Sequence, residues 1–270
     1  MRRKGRGIVS NGETSSADLV MPRSDEPPDF RRQASSYGRY RRDYTRELYD
    51  AIAQRTGPAA GRRALDLGCG TGFVTAELTR RDWGVVGGDF SAPMLGAARE
   101  LLGTGPALLR TRAEALPLAG GAVALITCGT SFHWFGPRPT LQEMERILVP
   151  GGWVALFWRY PTRDALTPKL IREILERFGP KLPEQHFLVH APEPFLGSQL
   201  KPEPLQVIPT TLRFTPEEFH GYASTTELLR RLAGAYHAEF LAALREELEQ
   251  RYPDGIEEES EEYLYLAQRP

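Results

Sequence analysis

Cysteine is nearly absent: Cys69 and Cys128 are the two in 270 residues, and neither stands in a C-x-x-C pair. That excludes a disulfide framework and a thiolate zinc cluster, so the default expectation is a cytoplasmic protein with no bound metal. An excess of charge is missing too, since 34 lysines and arginines face 35 aspartates and glutamates. Nothing in that balance attracts nucleic acid or an anionic membrane, and a small-molecule partner is expected, on a monomer or homodimer. A continuous apolar run is also lacking. The one long uncharged stretch, Ala115 to Pro137, is interrupted by Pro117, Gly120, Gly121, Gly129 and His133, which fits turn, strand and loop rather than a membrane span. MRRKGRG has no apolar block behind it, and Glu13, Asp18, Asp25 and Glu26 suit neither a signal nor a transit peptide. Residues 1–29 are expected to form a disordered leader. No internal repeat is visible.

What is present is an ordinary globular composition, 41% hydrophobic and 26% charged, enough for one large domain over 30–270. Tyr37, Tyr40, Tyr44, Leu48 and Ile52 recur at helical spacing, predicting lid helices over 30–56 that Gly57 and Pro58 end. Strand-like ALDL (Ala64 to Leu67), a glycine loop, a helix near Phe73 to Arg81 and a strand over Trp83 to Phe90 then make one βαβ unit. The alternation continues through a helix at Ala92 to Leu102, strands near Ala107 to Thr111 and Ala122 to Cys128, a helix at Leu141 to Leu148, a PGG turn and the strand Trp153 to Trp158. This is the pattern of a doubly wound α/β fold with a mostly parallel sheet of seven strands. Residues 164–200, a helical segment followed by Pro180, Pro183, Pro192 and Pro194, read as a cap insertion. A strand over Leu205 to Phe214, a long helix from Thr226 to Arg251 and a terminal strand from Glu262 to Gln268 complete the sheet. The acidic run Ile256 to Tyr263 is expected as a solvated turn.

Gly68, Gly70 and Gly72 sit at the carboxyl end of the first strand, where an open α/β sheet presents backbone N–H groups to a ligand. A phosphate loop needs a Gly-Lys-Ser/Thr ending, and no lysine follows. A dinucleotide fingerprint needs a small third residue where this chain has Phe73. What remains is D-x-G-x-G-x-G beginning at Asp66, with Asp89 closing the second strand.

On these residues the chain resembles the class I S-adenosylmethionine-dependent methyltransferases, which have a Rossmann-like fold. GTSFHWFGP is similar to the loop after strand four in the trans-aconitate and juvenile hormone acid methyltransferases of the type 11 group. YGRYRRDYT resembles that group's lead-in helix, with Arg42 and Thr45 in place of two prolines. The resemblance implies S-adenosylmethionine as cofactor. Asp89 would accept both ribose hydroxyls, and Asp66 would face the ammonium, or the water, around the methionine moiety. Phe90 and Met94 would flank the adenine, with Ala113, Glu114 and Ala115 at its amino edge. Tyr37, Arg41, Cys69 and Cys128 complete the cofactor set implied.

The acceptor side is narrowed by another absence. The Asp/Asn-Pro-Pro-Tyr/Phe grip that resembles amino-methyltransferases is missing after strand four, and Cys128 follows Thr127 rather than the proline of a cytosine C5 enzyme. His133 is a candidate general base, or else an imidazole tied to its own loop. Trp134, Phe135, Tyr37 and Tyr40 offer aromatic faces to a sulfonium. Trp134, Phe135, Tyr40, Trp158, Arg159 and Tyr222 are expected to bind substrate, with Arg159 open to a salt bridge instead, and Tyr160, Ser224 and Thr225 lie nearby in sequence. The expected activity is methyl transfer to a small molecule at oxygen, a carboxylate or a hydroxyl. Transfer to carbon, sulfur or nitrogen of a metabolite, and non-catalytic binding of the cofactor, stay open at this point.

Overall fold

The computed structural model describes residues 34–179 and 193–270. The leader, the first residues of the expected lid and Pro180, Pro183 and Pro192 of the expected cap lie outside them. Five parallel strands carry the sheet: β1 (Arg63–Leu67), β2 (Gly84–Asp89), β3 (Ala107–Arg110), β4 (Val123–Gly129) and β5 (Leu148–Pro161). Their order, β3-β2-β1-β4-β5, reverses direction at β1, so the crevice beyond the ends of β1 and β4 is the topological switch point where such sheets bind ligands. β8 (Ile256–Gln268) then adds antiparallel to β5, and β6 (Lys201–Pro202) and β7 (Gln206–Phe214) both pair with the far side of β8. The sheet therefore has eight strands rather than the expected seven, because residues 201–214 contribute two separated stretches.

Side chains of the central strands alternate between two cores, as the two-residue period requires. Leu65, Ile126, Cys128, Val154, Leu156 and Trp158 face a core closed by Leu141, Met144 and Ile147 of α5 (Pro137–Ile147). Ala64, Leu125, Ala155 and Phe157 face the other, closed by Leu48, Tyr49 and Ile52 of α2 (Arg46–Thr56) and by Val74 and Leu78 of α3 (Phe73–Arg80). α4 (Ala92–Leu102) packs beside β2 and β3. A third core joins α6 (Leu166–Leu175), α7 (Pro216–Ser224), α8 (Glu227–Ala233) and α9 (His237–Arg251) to the ends of β7 and β8. α1 (Ala34–Tyr40) bridges from α4 to α7. Among the described residues, no helix is long and apolar enough to cross a membrane.

Three expectations are corrected. The PGG segment does not end an element: it is a bulge within β5, shown by a register that jumps from Val123↔Leu148 to Leu125↔Trp153, with Gly151 at φ 74°. The long C-terminal helix is broken by Gly234 at φ 54° and a short 3-10 turn, giving α8 and α9. The acidic run is strand, not turn. Ile256, Glu258, Ser260 and Glu262 alternate inward on β8, and both glutamates are fully buried.

Candidate active site

The glycine loop is shaped by residues beneath it. Asp66 is buried below the loop and accepts hydrogen bonds from Thr75 Oγ1 at 2.7 Å and Thr127 Oγ1 at 3.0 Å, fastening α3 and β4 to β1. It is therefore not at the open face where a methionine ammonium would meet it. Burial pushes its carboxyl up to about 6, with the nearby Asp89 charge adding to the effect and the two hydroxyls opposing it. The folded pKa lies above the ordinary carboxylate value, so this group's contribution to stability is complete below pH 4 and is lost as pH rises through 6. Asp66→Asn keeps both hydroxyl partners and removes that loss. The variant is expected to gain on the order of 1–3 kcal/mol at pH 8 and nothing at pH 4, read by urea unfolding at the two pH values.

Gly68, Gly70 and Gly72 all have positive φ, which gives the loop its sharp turn. A Cβ at Gly68 would come 2.5 Å from Cβ of Ser131 and 3.0 Å from the Phe135 ring, so the loops after β1 and β4 touch there. Ser131 Oγ donates to the Leu67 carbonyl at 2.8 Å and fixes that contact. A Cβ at Gly70 would meet nothing, since that side of the loop opens outward. Asp89 stands next to it. Its Oδ2 accepts the Gly70 N–H at 2.9 Å and its Oδ1 the Ser91 N–H at 2.7 Å, leaving a lone pair on each oxygen directed elsewhere. Burial pushes the Asp89 carboxyl up, and these amides pull it back.

Beyond Asp89 the Phe90 ring is 48% exposed, with the Arg110 and Arg112 guanidinium groups over it at 5.8 and 5.3 Å. Met94 is buried below, in the first turn of α4 that Ser91 caps. Of the stretch after β3, Ala113 packs into the core, Glu114 Oε1 accepts the Gly136 N–H at 2.8 Å, and Ala115 is exposed. Thr71 was not singled out from the sequence, although it lies within the glycine motif. It is buried against Gly38 of α1, and its hydroxyl has no partner among the described residues.

The loop after β4 carries the aromatic triplet. His133 and Trp134 form a 3-10 turn with Phe132, the rings of His133 and Trp134 lying 4.7 Å apart, and Phe135 packs edge-on to Phe132. Trp134 is 37% exposed and carries the Arg231 guanidinium of α8 at 5.7 Å. Trp158 is not on the pocket wall. It is wholly buried, and its indole N–H donates to His133 Nδ1 at 3.1 Å.

Three more expected contacts sit elsewhere. Arg159 pairs with buried Glu262 through Nε at 3.0 Å and through Nη2, and it donates to the Asp43 carbonyl. Arg41 is a strut. Its guanidinium lies between the Tyr37 and Tyr222 rings at 4.8 and 4.7 Å, and it donates to Thr225 Oγ1 at 3.0 Å and the Thr225 carbonyl at 2.9 Å, tying the end of α1 to α7. Tyr40 lies flat on Gly221 of α7, where a Cβ would meet the ring at 2.5 Å. Cys128 is fully buried in the core and Cys69 nearly so, and burial pushes both thiols well up, so neither serves as a thiolate.

Three observations fit the nucleoside cofactor implied by the motif: the outward lone pairs of Asp89, the exposed Phe90 beside them, and the unpartnered Thr71 hydroxyl in the loop. Comparison with known proteins agrees with the fold and the motif. A family model described as a methyltransferase domain matches residues 65–156. The chain is 36% identical over 183 residues to the uncharacterized methyltransferase Rv3342 of Mycobacterium tuberculosis, a match covering 67% of this chain and 71% of that one. Among solved structures, the YcgJ protein of Bacillus subtilis shares the fold with a TM-score of 0.53 at 17% identity, over 83% of this chain and 99% of that one. The MccD protein does so with a TM-score of 0.51 at 16% identity, over 83% and 97%. With a relative of that identity spanning most of both chains, and the glycine loop and Asp89 set at the switch point, the chain belongs to the class I S-adenosylmethionine-dependent methyltransferases.

Proposed function

We propose that this protein methylates a small organic molecule at an oxygen atom, a carboxylate or a hydroxyl. The observation that carries the reading is the contact between the two loops: Phe135, next to His133 and Trp134, packs on Gly68 of the cofactor loop. That contact supports seating the aromatic triplet beside the sulfur end of a nucleoside whose ribose is held at Asp89. When bound, S-adenosylmethionine supplies an electrophilic methyl group on a sulfonium. The chain's part is placement. Asp89 holds the ribose hydroxyls, Phe90 and Met94 border the base, and the Gly70 side of the loop admits the amino-acid end. Holding reactants in line is worth up to ~7–11 kcal/mol in favourable cases, so no proton relay is required of the side chains. Trp134 and Phe135 add cation–π attraction of about 0.5–2 kcal/mol near a sulfonium and keep water out. α1 meets the loop through Gly38 and Thr71 and is held to α7 by Arg41.

The test has two stages. Calorimetric titration is expected to show saturable binding of S-adenosylmethionine and of its demethylated product. Methyl-labelled cofactor offered with carboxylates, phenols, amines and thiols is then expected to label an oxygen acceptor. Absence of binding would remove the cofactor assignment, and labelling confined to amines or thiols would remove the oxygen assignment.

A further inference from the structure

The segment between α1 and α2, Arg41 to Thr45, is tied down along its length. Arg41 and Arg42 hold α7 through Thr225 and Glu218, Arg159 donates to the Asp43 carbonyl, and Glu262 accepts the Thr45 N–H. Tyr44 points from this segment onto the end of β4. Its ring stands edge-on to Phe157 at 4.7 Å and lies against the bare backbone of Gly129, where a Cβ would meet it at 3.1 Å. Its hydroxyl shares a hydrogen bond of 2.6 Å with Thr130 Oγ1. Burial pushes the Tyr44 hydroxyl well up, so it acts as a neutral group that exchanges no proton.

Thr130 needs such a hold. Its φ is 47°, and among the described residues it and Asp82 are the only non-glycines with positive φ. An aspartate tolerates that region, but a β-branched residue there is an outlier, kept in place only where its surroundings over-determine it. Two groups do so: the Phe157 carbonyl, which accepts the Thr130 N–H at 2.8 Å, and the Tyr44 hydroxyl. Directly afterwards Ser131 is fixed on the Leu67 carbonyl, and the chain enters the turn that carries His133, Trp134 and Phe135. The backbone angle at Thr130 thus sets the direction in which the aromatic loop leaves the sheet.

We propose that Tyr44 is a positioning residue for methyl transfer: acting through the strained Thr130, it holds loop 130–136 where its aromatic side chains border the reacting end of the cofactor. The proposal rests on the methyltransferase reading above and adds to it a residue of the N-terminal segment. Tyr44 makes no bond to the reactants. Its effect is geometric, and it is carried to the loop from the sheet, because Arg159 and Glu262 anchor the residues on either side of Tyr44 to β5 and β8.

Two measurements test this. The first is hydrogen–deuterium exchange of the native chain, of Tyr44→Phe and of Thr130→Gly, which loses the hydroxyl but takes a positive φ without strain and so keeps the fold. In both variants the amides of 130–136 are expected to exchange about threefold to tenfold faster, the scale of one hydrogen bond, while those of β1 and β4 keep their native rates. Unchanged exchange over 130–136 overturns the proposal with no cofactor or acceptor present. So does a rise spread evenly over the sheet, which would make Tyr44 a support of the core alone. The second measurement uses the acceptor identified with methyl-labelled cofactor. Tyr44→Phe and Thr130→Gly are each expected to lower kcat by about tenfold with the Kd for S-adenosylmethionine unchanged. The double variant is expected to lose no more than either single one, and Thr130→Ser, which keeps the hydroxyl, to stay close to native. Losses that multiply in the double variant, a Kd that rises in step with the fall in kcat, or a serine variant as slow as the glycine one would each overturn the proposal. Failure of the native chain to bind S-adenosylmethionine would instead strike the methyltransferase reading, and the exchange rates would still decide whether Tyr44 holds the loop.

Discussion

Asp89→Ala is expected to weaken S-adenosylmethionine binding by about 10²–10⁴-fold. Each Asp89 oxygen already takes one backbone N–H, from Gly70 or from Ser91, and each keeps a second lone pair for a ribose hydroxyl. Hydrogen bonds to a charged group contribute about 1.5–3 kcal/mol apiece, and each 1.4 kcal/mol is tenfold in affinity. The parallel register that sets Leu67 beside Gly88 brings the two strand ends level, so the carboxylate reaches the loop without reorganisation. Asp89→Asn retains one acceptor oxygen and is expected to cost about tenfold. Calorimetry reads both, and thermal melting separates loss of ligand from loss of fold. A variant that melts like the native chain and binds the cofactor equally well would remove the ribose assignment.

The second large effect is on stability. Glu262→Ala is expected to destabilise the protein by about 3–5 kcal/mol, the range for breaking one side of a buried ion pair. Glu262 is wholly buried and accepts from Arg159, from the Thr45 N–H at 3.0 Å and from the Thr45 hydroxyl. Arg159 in turn lies over the Tyr44 ring at 5.0 Å, and the Tyr44 hydroxyl meets Thr130 Oγ1 at 2.6 Å. Removing the carboxylate leaves a guanidinium and the cap of α2 without their main partner. Glu262→Gln keeps the shape and is expected to lose less. Urea unfolding measures both, and an unchanged midpoint for the alanine variant would show that the network contributes no net stability.

These two residues mark how far the sequence could be read. The position of Asp89 was legible because it is local: it ends a strand and follows the glycine loop by a fixed spacing. The α/β alternation was legible for the same reason, since periodicities of two and of about three and a half are written in neighbouring residues. Glu262 was not. In IEEESEEY every local rule points to solvent, and what overrides it is Arg159 and Thr45, partners more than a hundred positions away that satisfy the buried carboxylate. Asp66 and Cys128 show the same limit in reverse. Both lie in or beside the motif, yet the two-residue alternation turns Asp66 to the α3 side of the sheet, onto Thr75 and Thr127, and Cys128 into the opposite core, both beneath the strand ends where a ligand would sit. Trp158 was placed on the fifth strand, which runs on to Pro161 instead of ending there, and its orientation into the core, with the indole N–H on His133 Nδ1, could not be read from the sequence. The break at Gly234 was visible as a glycine in a helical pattern, although its left-handed conformation was not.

The bare backbone of Gly221 under the Tyr40 ring gives the seam between α1 and α7 a particular character. A flat ring on an unadorned turn of helix leaves the seam to be fastened at its edges, by Arg39 and Tyr40 on Glu217, Arg42 on Glu218 and Arg41 on Thr225. Any residue larger than glycine at 221 would act as a wedge, prising α1 away from α7.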